Sequence, residues 1–156
     1  MDTSRTALTR AERRILHQTL LAWKTHKTIS WLMERYGDIE HTLTCLGNMS
    51  ARGQVVKFYE RDRFCGILAF DIGYVWWTPH RVCSEVFVLA TEGTHGFQRH
   101  AAAELERLAK EYDASLIVAG NMFQESNNLI GNGYKKCGFR QECSTYVKEI
   151  TTWKTT

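Results

Sequence analysis

A chain of 156 residues in which 44% are hydrophobic and 24% are charged has the length and composition of one folded domain, not of a disordered segment. Its net charge is only +3, from 20 Lys and Arg against 17 Asp and Glu residues. This charge does not indicate nucleic acid or an anionic membrane as a partner. The five cysteines form no Cys-x-x-Cys pair, which argues against a disulfide framework and a thiolate zinc site. No apolar run has the length of a signal peptide or a membrane span. We therefore expect a cytoplasmic protein with no metal and no membrane contact.

Helical patterns fill the first part of the chain. Thr9 followed by Glu12 has the form of a capping box, and apolar residues at helical spacing come next, so a helix is predicted over residues 10–25. A second short apolar pattern ends at Gly37, where a left-handed helix end suits glycine. Residues 38–53 contain glycine and asparagine, and they predict a turn-rich passage into a sheet.

Three strands are predicted in the middle of the chain. Residues 54–59 and 64–70 are rich in β-branched and aromatic side chains, and the polar residues 60–63 between them are typical of a hairpin turn. Residues 82–90 form a third strand with a long apolar centre, which predicts a central position in the sheet.

Helix and strand alternate in the last part of the chain. After Gly96, apolar residues at steps of three and four predict a long helix over residues 97–112. A buried strand over 115–119, a short helix over 127–136 and a last strand over 143–150 follow. This order of elements predicts an α/β (α+β) protein.

The segment 127–139 reads Asn-Asn-Leu-Ile-Gly-Asn-Gly-Tyr-Lys-Lys-Cys-Gly-Phe. It resembles the end of domains of the GNAT (Gcn5-related N-acetyltransferase) superfamily, which reads roughly Asn-x-x-Ala-x-x-hydrophobic-Tyr-x-Lys-x-Gly-Phe. The matching positions are Asn127, Tyr134, Lys136, Gly138 and Phe139. The resemblance implies a GNAT-like central mixed, mostly antiparallel sheet flanked by helices. It covers residues 28–150, with an N-terminal helical segment over 1–27 and an exposed tail over 151–156 in a single domain. A first strand that the family places before its N-terminal helices is not visible in this sequence.

The resemblance also implies acetyl-CoA as the cofactor. In the family, a turn of the form Arg/Gln-x-x-Gly-x-Gly/Ala precedes the long helix and holds the pyrophosphate, because unpaired amides and the helix dipole favour an anion. Here Gly96 keeps its position, Gly93 replaces the Arg or Gln, and Gln98 replaces the small last residue. The implied cofactor-binding residues are Val88, Gly93, Thr94, His95, Gly96, Phe97, Gln98, Arg99 and Asn127. An ordinary strand-to-helix turn with solvated side chains is the alternative.

Three side chains are candidates for proton transfer. By resemblance, Tyr134 is the acid that protonates the leaving thiolate. Glu85 lies on the strand that often carries the base, and Glu92 lies at the end of that strand. By the same resemblance, the backbone amide of Val88 or Leu89 is a candidate donor to the thioester oxygen. The alternatives are a packed aromatic for Tyr134, a solvated carboxylate for Glu85, and a helix cap for Asn127.

The sequence is compatible with two functions. The first is an acetyl-CoA-dependent N-acyltransferase acting by direct transfer on an amine of a small molecule or a protein. The alternative is a catalytically inactive GNAT-like binding or structural protein, for example a bacteriophage virion or assembly component, which would be located in the virion. The altered turn and the adjacent Trp76 and Trp77 favour this alternative, since paired tryptophans on opposite strand faces suit an interface.

Overall fold

The computed structural model describes residues 1–25, 31–120 and 129–141. Within these residues, the strands are β1 (Asp2–Ser4), β2 (Val55–Glu60), β3 (Arg63–Tyr74), β4 (Arg81–Ala90) and β5 (Leu116–Val118). The helices are α1 (Arg10–Lys24), α2 (Trp31–Tyr36), α3 (Ile39–Ala51), α4 (Phe97–Glu111) and α5 (Leu129–Lys136). This arrangement confirms the predicted mixed, mostly antiparallel sheet flanked by helices. The predicted strand over 143–150 and the predicted site residue Asn127 lie outside the described residues.

The strands lie in the sheet in the order β1-β2-β3-β4-β5. The pairs β1–β2, β2–β3 and β3–β4 are antiparallel, and the pair β4–β5 is parallel. β2 and β3 form the predicted hairpin, whose turn residues Arg61 and Asp62 both have positive φ. β4 lies between β3 and β5, as predicted for the third strand, and the chain crosses from β4 to β5 through α4, as a parallel pair requires.

The two outer strands of the described sheet differ from the sequence-based expectation. β1 was not visible in the sequence, because three polar residues carry no apolar alternation; it forms by pairing with Lys57–Tyr59 of β2. β5 was predicted to be a buried strand, but Leu116 and Val118 are exposed. An apolar run alone does not show how many of its faces are covered, and here the prediction was wrong for these two side chains.

Helix α1 begins as predicted. The hydroxyl of Thr9 accepts a hydrogen bond from the Glu12 amide at 3.2 Å, and the Glu12 carboxylate accepts one from the Thr9 amide at 2.7 Å. Lys57 of β2 donates to both oxygens of the same carboxylate at 3.2 Å, and the Tyr59 hydroxyl donates to it as well. Since Glu12 and Lys57 are 7% and 2% exposed, this buried cluster fixes the start of α1 on the sheet.

The passage over residues 38–53 is not turn-rich, as the sequence predicted, but holds the helix α3. Asp38 starts it by accepting a hydrogen bond from the His41 amide at 2.8 Å, and its apolar face is buried against α1 and the sheet. Gly47 lies inside the helix because Arg13 of α1 passes over it: a Cβ atom there would lie 2.3 Å from a guanidinium nitrogen. The glycine that suggested a turn therefore serves helix packing.

The end of α2 also has a different cause from the predicted one. Gly37 follows the helix, but its φ is not positive. Its amide donates to the Met33 carbonyl at 2.9 Å, and a Cβ atom would lie 2.4 Å from that carbonyl oxygen. Close packing against the preceding helical turn, not a left-handed backbone, is what a larger residue at this position would disturb.

The sheet is covered on both faces. One face packs under α1 and α3, with a core of Leu8, Leu16, Leu20, Leu43, Leu46, Val55, Phe64, Ile67, Ala69, Phe87 and Leu89. The other packs under α4, with a core of Val56, Phe58, Cys65, Leu68, Phe70, Cys83, Phe97, Ala101, Leu105, Leu108 and Ala109. Side chains of β4 contribute to both cores, Phe87 and Leu89 to the first and Cys83 to the second.

Candidate active site

A β-bulge in β4 sets the direction of Glu85. Ala69 pairs with Phe87 while the next residue, Phe70, pairs with Glu85, so Val86 is an extra residue in β4. Residues that pair directly share a face of the sheet, so Glu85 lies on the α4 face with Phe70, whereas Phe87 lies on the α1 face. Without the extra residue, Glu85 and Phe87 would point to the same face. The bulge therefore directs a carboxylate to the α4 side.

β4 and β5 separate just before Glu85. Within the described residues, their pairing ends at Ser84 with Val118, although β4 continues to Ala90. The amide of Thr91 donates to the Cys65 carbonyl of β3 at 2.9 Å. Because amides alternate in direction along an antiparallel strand, the Val88 amide points away from β3, to the edge that β5 has left. A backbone donor thus faces the opening between the two strands.

Tyr134 reaches this opening from α5. Its side chain is 7% exposed, and its ring packs on that of Phe139 with the ring centroids 5.0 Å apart. Its hydroxyl donates a hydrogen bond to the carboxylate of Glu85. The two residues chosen from the sequence as acid and base are therefore direct partners in the folded chain.

The environment of Glu85 changes its protonation. Burial disfavours the charged carboxylate and raises its pKa to about 7, and a hydrogen bond from the Gly120 backbone acts in the opposite direction. A carboxyl group with this pKa exchanges a proton near neutral pH, which a base in a proton-transfer site requires. Gly120 was not predicted as a site residue, because no sequence pattern marks a backbone donor.

The turn between β4 and α4 is held by Thr91. Its hydroxyl donates to the Phe64 carbonyl at 3.3 Å and lies 3.2 Å from the Thr94 hydroxyl. Gly93 and Gly96 have φ values of +74° and +68°, which only glycine adopts without strain. Thr91 was missed in the sequence, since its role depends on the neighbouring β3.

Helix α4 begins directly after this turn without a side-chain cap. Gly96 is its N-cap, and a Cβ atom built on Gly96 meets no atom within 4 Å. The positive end of the helix dipole favours an anion at this open position, and the Arg99 amide there donates to the Gly96 carbonyl at 3.1 Å. The Phe97 side chain takes no part in this, because it is 5% exposed and packs edge-on against Phe58 with the centroids 4.9 Å apart.

No family model matches the sequence, and no curated protein matches it either. Solved structures match its fold. A ribosomal-protein-alanine N-acetyltransferase from Brucella melitensis biovar Abortus 2308 shares 12% identity with a TM-score of 0.64, over 96% of this chain and 100% of that one. An aminoglycoside 6′-N-acetyltransferase from Acinetobacter haemolyticus shares 12% identity with a TM-score of 0.61, over 97% and 100%. The structure of AAC(6')-Iy with the bisubstrate analog CoA-S-monomethyl-acetylneamine shares 9% identity with a TM-score of 0.64, over 96% and 98%.

The chain has the GNAT fold. The three matched proteins carry acetyltransferase names or a coenzyme A analogue, and none is described as a virion component, so they lend no support to the bacteriophage alternative. In this fold, Tyr134 and Glu85 are hydrogen-bonded where β4 and β5 separate, and Val88 lies further along the same strand. The other implied cofactor residues that the structure describes lie in the turn or at the start of α4: Gly93, Thr94, His95, Gly96, Phe97, Gln98 and Arg99.

Across residues 1–25, 31–120 and 129–141, no group of three or more His, Cys, Asp or Glu side chains is placed to hold a metal ion. None of the described helices is long and apolar enough to cross a membrane.

Proposed function

We propose that this protein is an acetyl-CoA-dependent N-acetyltransferase that transfers the acetyl group directly to an amine of a small molecule or a protein. The observation that carries the proposal is the hydrogen bond from Tyr134 to Glu85 at the point where β4 and β5 separate. An acid and a base in contact, one of them with its pKa near 7, suit a reaction that takes a proton from an amine and gives one to a thiolate.

The residues present fit acetyl-CoA at two places. The open N-cap of α4 at Gly96 suits the pyrophosphate, because the positive end of the helix dipole favours an anion there. His95 and Arg99 are exposed beside it and suit phosphate oxygens. The edge of β4 that carries the Val88 amide suits the pantetheine arm. The amide groups of that arm can form hydrogen bonds with the β4 backbone as a neighbouring strand would. Acetyl-CoA, when bound, supplies the acetyl group as a thioester.

Glu85 and Tyr134 divide the proton transfers. Glu85 as a carboxylate accepts a proton from the attacking amine, and the Tyr134 hydroxyl gives a proton to the departing sulfur. Because the two groups share a hydrogen bond, the proton taken up by Glu85 is then passed to the Tyr134 oxygen, which restores both groups. One proton thus moves from the amine to the thiol, and the pair ends the reaction as it began.

The proposal is tested first by binding. Calorimetry of the full chain with acetyl-CoA, coenzyme A and desulfo-coenzyme A is expected to show binding at about micromolar concentrations for all three, since the phosphates are common to them. A screen of amines then follows release of the free thiol with a thiol-reactive dye. Absence of binding at millimolar ligand, or thiol release that no amine accelerates, would overturn the proposal.

A further inference from the structure

Gln98 and Gly133 fit together at the contact between α4 and α5. Gln98 is the second residue of α4, and Gly133 lies in α5 directly before Tyr134. The carboxamide of Gln98 lies directly over the Gly133 backbone: a Cβ atom on Gly133 would be 2.0 Å from its Oε1 and 2.6 Å from its Cδ. A methyl group cannot share that space, so the Gln98 side chain occupies its observed position only because residue 133 is glycine.

We propose that Gly133 is a positioning residue that keeps the Gln98 side chain out of the pyrophosphate turn. This inference rests on the proposed function, since it concerns room for coenzyme A at the start of α4. Side chains in a helix lean toward its N-terminus. A Gln98 side chain displaced from Gly133 therefore moves toward Gly96, where a Cβ atom now meets nothing within 4 Å. The glycine in α5 thus compensates for a large residue in a turn that needs space.

The test compares coenzyme A binding to four forms of the full chain by calorimetry: wild type, Gly133→Ala, Gln98→Ala and the double variant. Gly131→Ala is the matched control, because Gly131 lies in the same helix and a Cβ atom there meets nothing within 4 Å. Thermal unfolding of each form shows that it is folded at the assay temperature. Both substitutions in α5 replace glycine by alanine, which is a better helix former. Helix propensity alone therefore predicts the same change in stability and in coenzyme A binding for the two variants.

The expected result is that Gly133→Ala weakens binding by about tenfold, or about 1.4 kcal/mol, while Gly131→Ala binds as the wild type does. Adding Gln98→Ala to Gly133→Ala is expected to restore the affinity of the Gln98→Ala variant. Unchanged binding by Gly133→Ala, or no restoration in the double variant, overturns this inference and leaves the proposed function standing. Failure of the wild type to bind coenzyme A overturns both.

Discussion

The hydroxyl of Tyr134 on α5 donates a hydrogen bond to the carboxylate of Glu85 on β4, across 49 residues of sequence. The contact exists because a bulge turns Glu85 to the α4 face and because α5 packs beside α4 on that face. It joins a phenol to a carboxyl group whose pKa burial raises to about 7. The pair is the chemical centre of the proposed N-acetyltransferase.

Replacement of Tyr134 by phenylalanine removes the proposed acid while keeping the aromatic ring that packs on Phe139. Turnover is expected to fall by about 10²- to 10⁴-fold, the usual contribution of a positioned acid, with little change in coenzyme A affinity. Steady-state kinetics and calorimetry on the same preparation measure the two effects. An equal loss of turnover and affinity would show that the ring's hydroxyl has a structural role instead.

The pH dependence of turnover is expected to follow Glu85. The base has to be ionised, so activity rises as pH increases through about 7, where the carboxyl loses its proton. Glu85→Gln cannot ionise, and it is expected to lower activity by about 10²- to 10⁴-fold and to remove this rise. The measurement is a pH–rate profile of both forms. If activity still rises near neutral pH in Glu85→Gln, the rise is due to the ionisation of another group.

Glu85 also makes folding stability depend on pH. Its folded pKa of about 7 lies above the ordinary value of 4.5, so between these values the folded chain keeps a proton that the unfolded chain has released. The free energy of unfolding is therefore expected to decrease as pH rises through this window. Urea unfolding at pH 5 and pH 8 measures the decrease in the wild type. The same decrease in Glu85→Gln would contradict the assignment.

Gly96→Ala tests the turn before α4. Both this position and Gly53, in the turn after α3, have left-handed φ values, and a Cβ atom at either meets nothing within 4 Å. The two alanine variants should therefore lose similar stability, about 1–2 kcal/mol from backbone strain. Only Gly96→Ala is expected to weaken coenzyme A binding, by about tenfold. Equal affinities of the two variants for coenzyme A would show that this turn does not bind the pyrophosphate.

The buried cluster at the start of α1 is expected to govern stability and not chemistry. Lys57→Met leaves the Glu12 carboxylate buried without its cation, and loss of one partner of a buried pair costs about 3–5 kcal/mol. Burial acts to raise the pKa of Glu12, but hydrogen bonds from Tyr59, Thr9 and Lys57 outweigh it and hold the pKa below its ordinary value. This stability is present above pH 4.5 and is lost as pH falls through the lowered folded pKa.

Urea unfolding of the wild type and Lys57→Met at neutral pH measures that cost. Arg63→Met is a suitable control, since its ion pair with Glu60 is exposed and such pairs contribute about 0–1 kcal/mol. Similar losses in the two variants would show that the buried cluster is not specially stabilising.

Local patterns in the sequence determined the elements whose signals lie within a few residues. The Thr9–Glu12 capping box, the hairpin of β2 and β3 and the apolar face of α4 were all predicted and confirmed. The motif around Tyr134 indicated the GNAT fold, which the solved structures confirm. These predictions succeed because helix caps, strand alternation and turn residues depend on neighbours along the chain.

Only the tertiary structure decided how distant residues meet. The sequence did not show the bulge that separates Glu85 from Phe87, the strand β1, the helix through Gly47 or the space that Gly133 gives to Gln98. Each depends on strand register or on packing between elements far apart in sequence. The sequence alone does not show whether a glycine lies in a turn, in a helix contact or in a phosphate site. Its role is determined by the tertiary structure around it.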